Sequence, residues 1–180
     1  MRTSLIFLTI LLAAPLLAAP PPAAPRNPTI EQLSATAAAG KVSVRFTLAG
    51  AFADEMVEAL KSGLPTSFTY SIEIFRDRPN WFDDSIANAR VEVICTYNSL
   101  TREYLLNYRR DKKLVRSETF TDLAALERQM ATVNEADLFD LGDRKPWKHK
   151  VRVKADLMRG WLMYVIPWEV STRWREARVR

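Results

Sequence analysis

The chain has 180 residues, a formal net charge of +5, one cysteine (Cys95) and one histidine (His149). That length suits a single domain with a sizeable core. One cysteine excludes an intramolecular disulfide, one cysteine with one histidine is too few for a zinc site of the usual His/Cys type, and the modest positive excess suits anionic partners without selecting one.

Residues 1–19 read as a signal peptide or an N-terminal anchor. Arg2 supplies the positive start, and a mainly apolar run from Ser4 to Leu17 follows, interrupted by Pro15. Leu17-Ala18-Ala19 is the best cleavage candidate, but Pro20 disfavours cutting there, so an uncleaved leader tethered to the inner membrane stands as the alternative. No cysteine follows the run, which excludes lipoprotein anchoring. Residues 20–28 form a proline-rich linker that favours polyproline geometry. The expected location is therefore periplasmic or exported, which disfavours nucleic acid as a partner. No sequence feature calls for a cofactor. Residues 29–176 are expected to form one β-rich domain.

Thr29 to Ala37 is a weak strand, and Ala39-Gly40 a turn. In Lys41 to Ala49, the residues Val42, Val44, Phe46 and Leu48 alternate with polar ones, as in an antiparallel strand with one wet face. The next stretch predicts a helix. Asp54 is the expected N-cap, while Phe52, Met56 and Leu60 recur every four residues with Val57 beside them. Gly63 is expected to stop the helix in the left-handed conformation, with Leu64 folding back and Pro65 preventing continuation. Thr66 to Asp77 then alternates again through Phe68, Tyr70, Ile72 and Ile74.

Arg78-Pro79-Asn80 is turn chemistry leading to Trp81-Phe82-Asp83-Asp84. Ser85 to Tyr97 alternates through Val91, Val93 and Cys95, and Thr101 to Arg110 through Tyr104, Leu106 and Tyr108. Asp111-Lys112-Lys113 makes a hairpin tip before a strand from Leu114 to Phe120. A second helix is predicted over Asp122 to Val133, capped by Thr121, with Leu123, Leu126, Met130 and Val133 on one face. Asn134 to Pro146 reads as irregular. Trp147 to Leu157 is a strand with His149, Val151, Val153, Ala155 and Leu157 on one side. A turn at Arg159-Gly160 leads into the apolar run Trp161 to Ile166, then a last strand from Trp168 to Arg175 and a frayed tail from Arg178.

The expected class is β-rich α+β: an antiparallel curved sheet or sandwich of about eight strands with two short packed helices. The element order strand-strand-helix-strand-strand, stated twice, suggests a pseudo-repeat without residue identity between the halves.

Chemically capable residues are few. His149 is in phase with core valines, and Cys95 sits mid-strand without a neighbouring base, so both read first as structural. Asp77, Asn80, Asp83 and Asp84 lack the glycine and terminal glutamate of a calcium loop. No nucleophile elbow or phosphate-binding glycine loop occurs. Three features remain as binding candidates: Trp81 and Phe82 at a loop tip, the basic row Lys148, Lys150, Arg152 and Lys154, and the apolar run from Trp161 to Ile166. Against these stand the bland alternatives of aromatics folded over the core, a solvated or lysine-guarded strand face, and a buried closing strand.

The blocks Leu48-Ala49-Gly50-Ala51-Phe52 and Glu58-Ala59-Leu60-Lys61-Ser62-Gly63-Leu64-Pro65 carry a family resemblance. With them go Phe68-Thr69-Tyr70, Trp81-Phe82-Asp83 and Tyr97-Asn98-Ser99-Leu100-Thr101-Arg102-Glu103-Tyr104. The chain resembles the bacterial exported domain-of-unknown-function 4390 family over about Lys41 to Trp174, although Trp168 to Trp174 follows the family's aromatic-acidic ending only loosely. The resemblance implies an envelope protein with no established activity and points toward envelope sensing. The leading expectation is a non-enzymatic binding or interaction module whose partner is an envelope protein or an anionic membrane or cell-wall surface. The alternatives are an envelope hydrolase using Asp77, Asp83 or Asp84, and a carrier of an apolar ligand. Oligomeric state is left open.

Overall fold

Strict apolar–polar alternation lets a strand bury one face, and two sheets that each do so share a core. The computed structural model describes residues 27–76, 84–162 and 166–180. Along these residues run β1 (Thr29–Ala38), β2 (Lys41–Ala49), α1 (Asp54–Lys61), β3 (Thr66–Arg76), β4 (Asp84–Asn98), β5 (Glu103–Arg110) and β6 (Lys113–Phe120). They continue with α2 (Leu123–Ala131), β7 (Thr132–Asp140), β8 (His149–Leu162), β9 (Ile166–Ser171) and β10 (Arg175–Arg178). The fold is the β-rich α+β class expected, with ten strands among the described residues instead of about eight.

A smaller antiparallel sheet has the order β1-β2-β7, and a larger one β10-β8-β3-β4-β5-β6, with β9 also paired to β8. Val42, Val44, Phe46 and Leu48 of β2 face Phe68, Tyr70, Ile72 and Ile74 of β3 in one core cluster. Phe46 and Tyr70 meet edge to face with ring centroids 5.2 Å apart, a favoured aromatic geometry. The expected pseudo-repeat holds in element order only, because β1 and β2 lie in the smaller sheet while β5 and β6 lie in the larger.

The first helix is placed as the sequence predicts, with one shift. Ala53 is its N-cap and makes no side-chain cap bond, so Asp54 is the first helical residue instead of the cap. Asp54 and Glu55 then complement the positive helix end. Met56 and Leu60 are fully buried, which contributes about 1.5–3 kcal/mol each. At the other end, the Gly63 amide donates to the Leu60 carbonyl (2.9 Å) and the Leu64 amide to the Ala59 carbonyl (3.1 Å), with Gly63 at φ +84°. These two bonds form a Schellman cap.

The second helix differs from expectation at both ends. Asp122, not Thr121, is its cap, accepting from the Ala125 amide at 2.8 Å. The helix stops at Ala131, and Val133 is buried as part of β7, opposite Phe46. Val133 extends the helical spacing of Leu126 and Met130, which is why periodicity alone carries the helix too far. The region expected to be irregular is thus mostly strand. Its alternation is broken because Val42 and Val44 of β2 pair with Phe139 and Glu135, so the residues between them on β7 bulge outward, with Asp137 at φ +51°.

No glycine caps α2, which turns directly into β7. Its last carbonyls are held from the larger sheet instead. The Tyr70 hydroxyl donates to the Met130 carbonyl (2.8 Å) and the Tyr108 hydroxyl to the Gln129 carbonyl (3.0 Å). Helix α2 contacts β2 and β7 on one side and β5 and β6 on the other, so it fills the opening between the ends of the two sheets.

The opposite ends of the sheets are joined by the chain's last residues. Val179 forms a parallel bridge with Ala35, the Arg180 amide donates to the Ala35 carbonyl (3.0 Å), and the Ala37 amide donates to the Arg180 carbonyl (2.7 Å). The tail expected to fray is therefore a structural seam, and Val179 is buried. Strand β8 likewise runs through the expected turn at Arg159-Gly160, with a register irregularity between Met158 and Gly160.

Replacing Tyr70 by Phe should cost about 1–3 kcal/mol, because a buried carbonyl loses its donor; an unchanged urea midpoint would overturn the capping role. A Cβ at Gly63 meets nothing within 4 Å. Gly63→Ala should therefore cost about 1–2 kcal/mol through backbone conformation alone. Thermal denaturation checks this, and an unaltered Tm would argue against the left-handed cap.

Candidate functional site

Polar residues that alternate with the core project from the larger sheet's outer face, and here the predicted basic row is found in part. Lys150, Arg152 and Lys154 alternate along β8 as expected, whereas Lys148 lies in a short 3-10 turn over Pro146–Lys148 and falls out of the row. Each of the three has an acidic neighbour. Arg152 reaches Glu73 of β3 through both Nε (2.8 Å) and Nη2 (2.7 Å), Lys154 pairs with Asp156 (2.9 Å), and Lys150 with Glu176 of β10 (3.8 Å). The Arg152 guanidinium also lies 5.3 Å from the centre of the Phe75 ring and 5.1 Å from that of Trp174. Burial raises the Asp156 carboxyl, but the Ser171 hydroxyl and the Lys154 ammonium outweigh it and hold the group below the usual carboxylate range. A row that reads as basic along one strand is thus a mixed-charge face across three. Such half-exposed pairs order the surface and add little stability.

Edge strand β6 has a different character. Among the described residues it ends the larger sheet and pairs only with β5. Its pairing is irregular between Tyr108 and Arg109, where Tyr108 faces Arg116 and Arg109 faces Leu114, so Val115 is the extra residue. Two neighbouring apolar side chains cannot both face the core of a strand, and here Leu114 is 61% and Val115 57% exposed. Leu105 of β5 adds a further exposed aliphatic group. Arg116 lies over the Tyr108 ring at 3.8 Å and also pairs with Glu118 (3.2 Å). The sequence held a signal for this patch, the adjacent Leu114 and Val115 directly after a hairpin tip, but its exposure depends on the bulge.

The two residues with reactive side chains, Cys95 and His149, are buried. Cys95 is buried on β4, and burial pushes its thiol up to about 12. His149 is buried at the start of β8, and its Nδ1 lies 2.9 Å from the Lys145 carbonyl, so that nitrogen carries the proton. Its Nε2 is buried without a partner. No group of three His, Cys, Asp or Glu that could hold a metal ion occurs among the described residues. Asp84 is exposed at the start of β4. Trp81, Phe82, Asp77, Asn80 and Asp83 lie outside the described residues, as do the leader, most of the linker and the middle of the run from Trp161 to Ile166. No helix among the described residues is long and apolar enough to cross a membrane.

The state of Cys95 has a direct consequence. Its protonated, buried thiol should resist alkylation at pH 8 in the native protein and react fully in denaturant. Rapid native labelling would contradict this placement.

No curated protein and no solved structure matches the chain significantly. A family model described as a domain of unknown function, DUF4390, matches residues 26–176. The match takes in both sheets, both helices and the Schellman-capped stretch after Ala53. The chain belongs to the DUF4390 family.

Proposed function

We propose that the protein is a non-enzymatic interaction module of the bacterial cell envelope, and that edge strand β6 receives an extended segment of a protein partner. The observation that carries this reading is the pair Leu114 and Val115, exposed on a strand whose outer edge has no neighbouring strand among the described residues. An unpaired edge offers a row of backbone donors and acceptors, and a partner strand that takes them gains main-chain bonds together with side-chain contacts. Burying the two aliphatic side chains would contribute about 1.5–3 kcal/mol each. The bulge at Val115 and the flanking cations Lys113 and Arg116 discourage indiscriminate pairing, which favours a selected partner over aggregation. The envelope location rests on the leader-like residues 1–19 and on the family resemblance.

The reading predicts that a photo-cross-linker at exposed Lys113 of β6, in intact cells, captures one defined envelope protein, while the same group at exposed Lys61 does not. The double variant Leu114→Asp, Val115→Asp should lose that capture without a lower Tm. Equal capture from both positions, retention by the double variant, or a cytoplasmic location on fractionation would overturn it.

A further inference from the structure

The seam between the sheets opens into a cleft that the β6 reading does not involve. β1 meets the C-terminal segment only around Ala35 and Ala37, through the Val179 bridge and the two Arg180 hydrogen bonds. On the N-terminal side of that contact β1 is bulged between Glu31 and Ser34, with Gln32 at φ +52°. A bulge bends the strand and ends regular pairing, and here a cleft of about 530 Å3 lies between the two segments. That volume falls within the usual range for small-molecule sites.

The lining has a clear polarity. Leu33 is half-buried and supplies the aliphatic surface above the buried Ala35 and Val179, and Trp147 forms a wall with 67% of its surface exposed. Arg178 and Arg180 complete the lining. Neither forms an ion pair among the described residues, in contrast to Lys150, Arg152 and Lys154 on the neighbouring face. Lys145 adds a further positive charge, its Nζ 5.7 Å from the centre of the Trp147 ring. Glu176, one residue before the cleft-lining segment, is engaged by Lys150. The position of Arg180 is fixed by its main chain, which bonds to Ala35 and Ala37.

We propose that this cleft binds a single-chain anionic amphiphile, with its oxyanion head on Arg178 and Arg180 and its alkyl chain along Leu33 against Trp147. Guanidinium groups bind carboxylate and phosphate through paired, charge-assisted bonds. The apolar floor gains only when a ligand brings apolar surface to cover it. A free inorganic anion would leave Trp147 and Leu33 wet, and a neutral amphiphile would leave both guanidiniums unmatched.

The test is calorimetric titration of the purified full chain with dodecyl phosphate and with laurate, each below its micellar concentration. Dodecyl maltoside and inorganic phosphate serve as controls. Binding at one site per chain is expected, with Arg178→Ala and Trp147→Ala each weakening it about tenfold and leaving the Tm unchanged, since both side chains are exposed. Binding of dodecyl phosphate alone, or of laurate alone, assigns the head group as phosphate or carboxylate; binding of both assigns a general oxyanion site. No binding of either would overturn the inference. So would equal binding of dodecyl maltoside or of inorganic phosphate, or an unchanged affinity in both variants. Because the cleft and β6 are separate, the Leu114→Asp, Val115→Asp chain should bind the amphiphile normally, whichever way the partner experiment falls.

Discussion

A helix that turns directly into a strand cannot use the glycine cap that usually satisfies its last carbonyls. In α2 that need is met by Tyr70 and Tyr108, whose hydroxyls reach across from two strands of the larger sheet to the Met130 and Gln129 carbonyls. The rest of the architecture depends on this arrangement. Tyr70 is fully buried, packs edge to face against Phe46 of the smaller sheet, and has its ionisation pushed upward chiefly by burial. One side chain therefore couples sheet, helix and opposite sheet, and it stays a neutral hydrogen-bond donor. With α2 held in this position, the open side between β6 and β7 is filled without the sheets closing into a barrel.

The other side of the molecule is joined by main chain. The Val179 amide donates to the His149 carbonyl at 3.1 Å while Arg180 bonds to β1, so a few residues tie β8 to the smaller sheet. Because the two segments meet over so short a length, space opens beside the junction. A similar economy appears at the hairpin between β1 and β2, where Gly40 at φ +77° lies so close to Gly142 that a Cβ would sit 2.8 Å from its carbonyl oxygen. Turns and termini in this fold are structural contacts.

The surface divides by how its charges are matched. Across β3, β8 and β10 each cation of the row finds a carboxylate, and Arg152 also lies near two aromatic rings. Such a face is solvated, ordered and close to neutral. Edge strand β6 and the seam cleft combine exposed apolar groups with cations, and these are the places proposed for a partner and a ligand.

Much of this protein was determined by local sequence. Period-two alternation placed β2, β3, β4, β5 and the core side of β8, because a strand with one wet face must alternate. Gly63-Leu64-Pro65 placed the end of α1, because a left-handed residue followed by proline stops a helix for local reasons. The sequence also marked the core-facing position of Cys95 and His149, since their neighbours in phase are core residues. Tertiary structure alone decided the remainder. β7 was hidden because its bulge breaks the alternation and its first buried residue continues the helical spacing of α2. The basic row changed its meaning because two of its three carboxylates, Glu73 and Glu176, come from neighbouring strands. The tail became a seam because its partner, β1, lies at the opposite end of the domain. Periodicity records what a segment does with its own two faces; which strand, carbonyl or charge lies across from it is a long-range fact, and the surfaces proposed for binding are made from such facts.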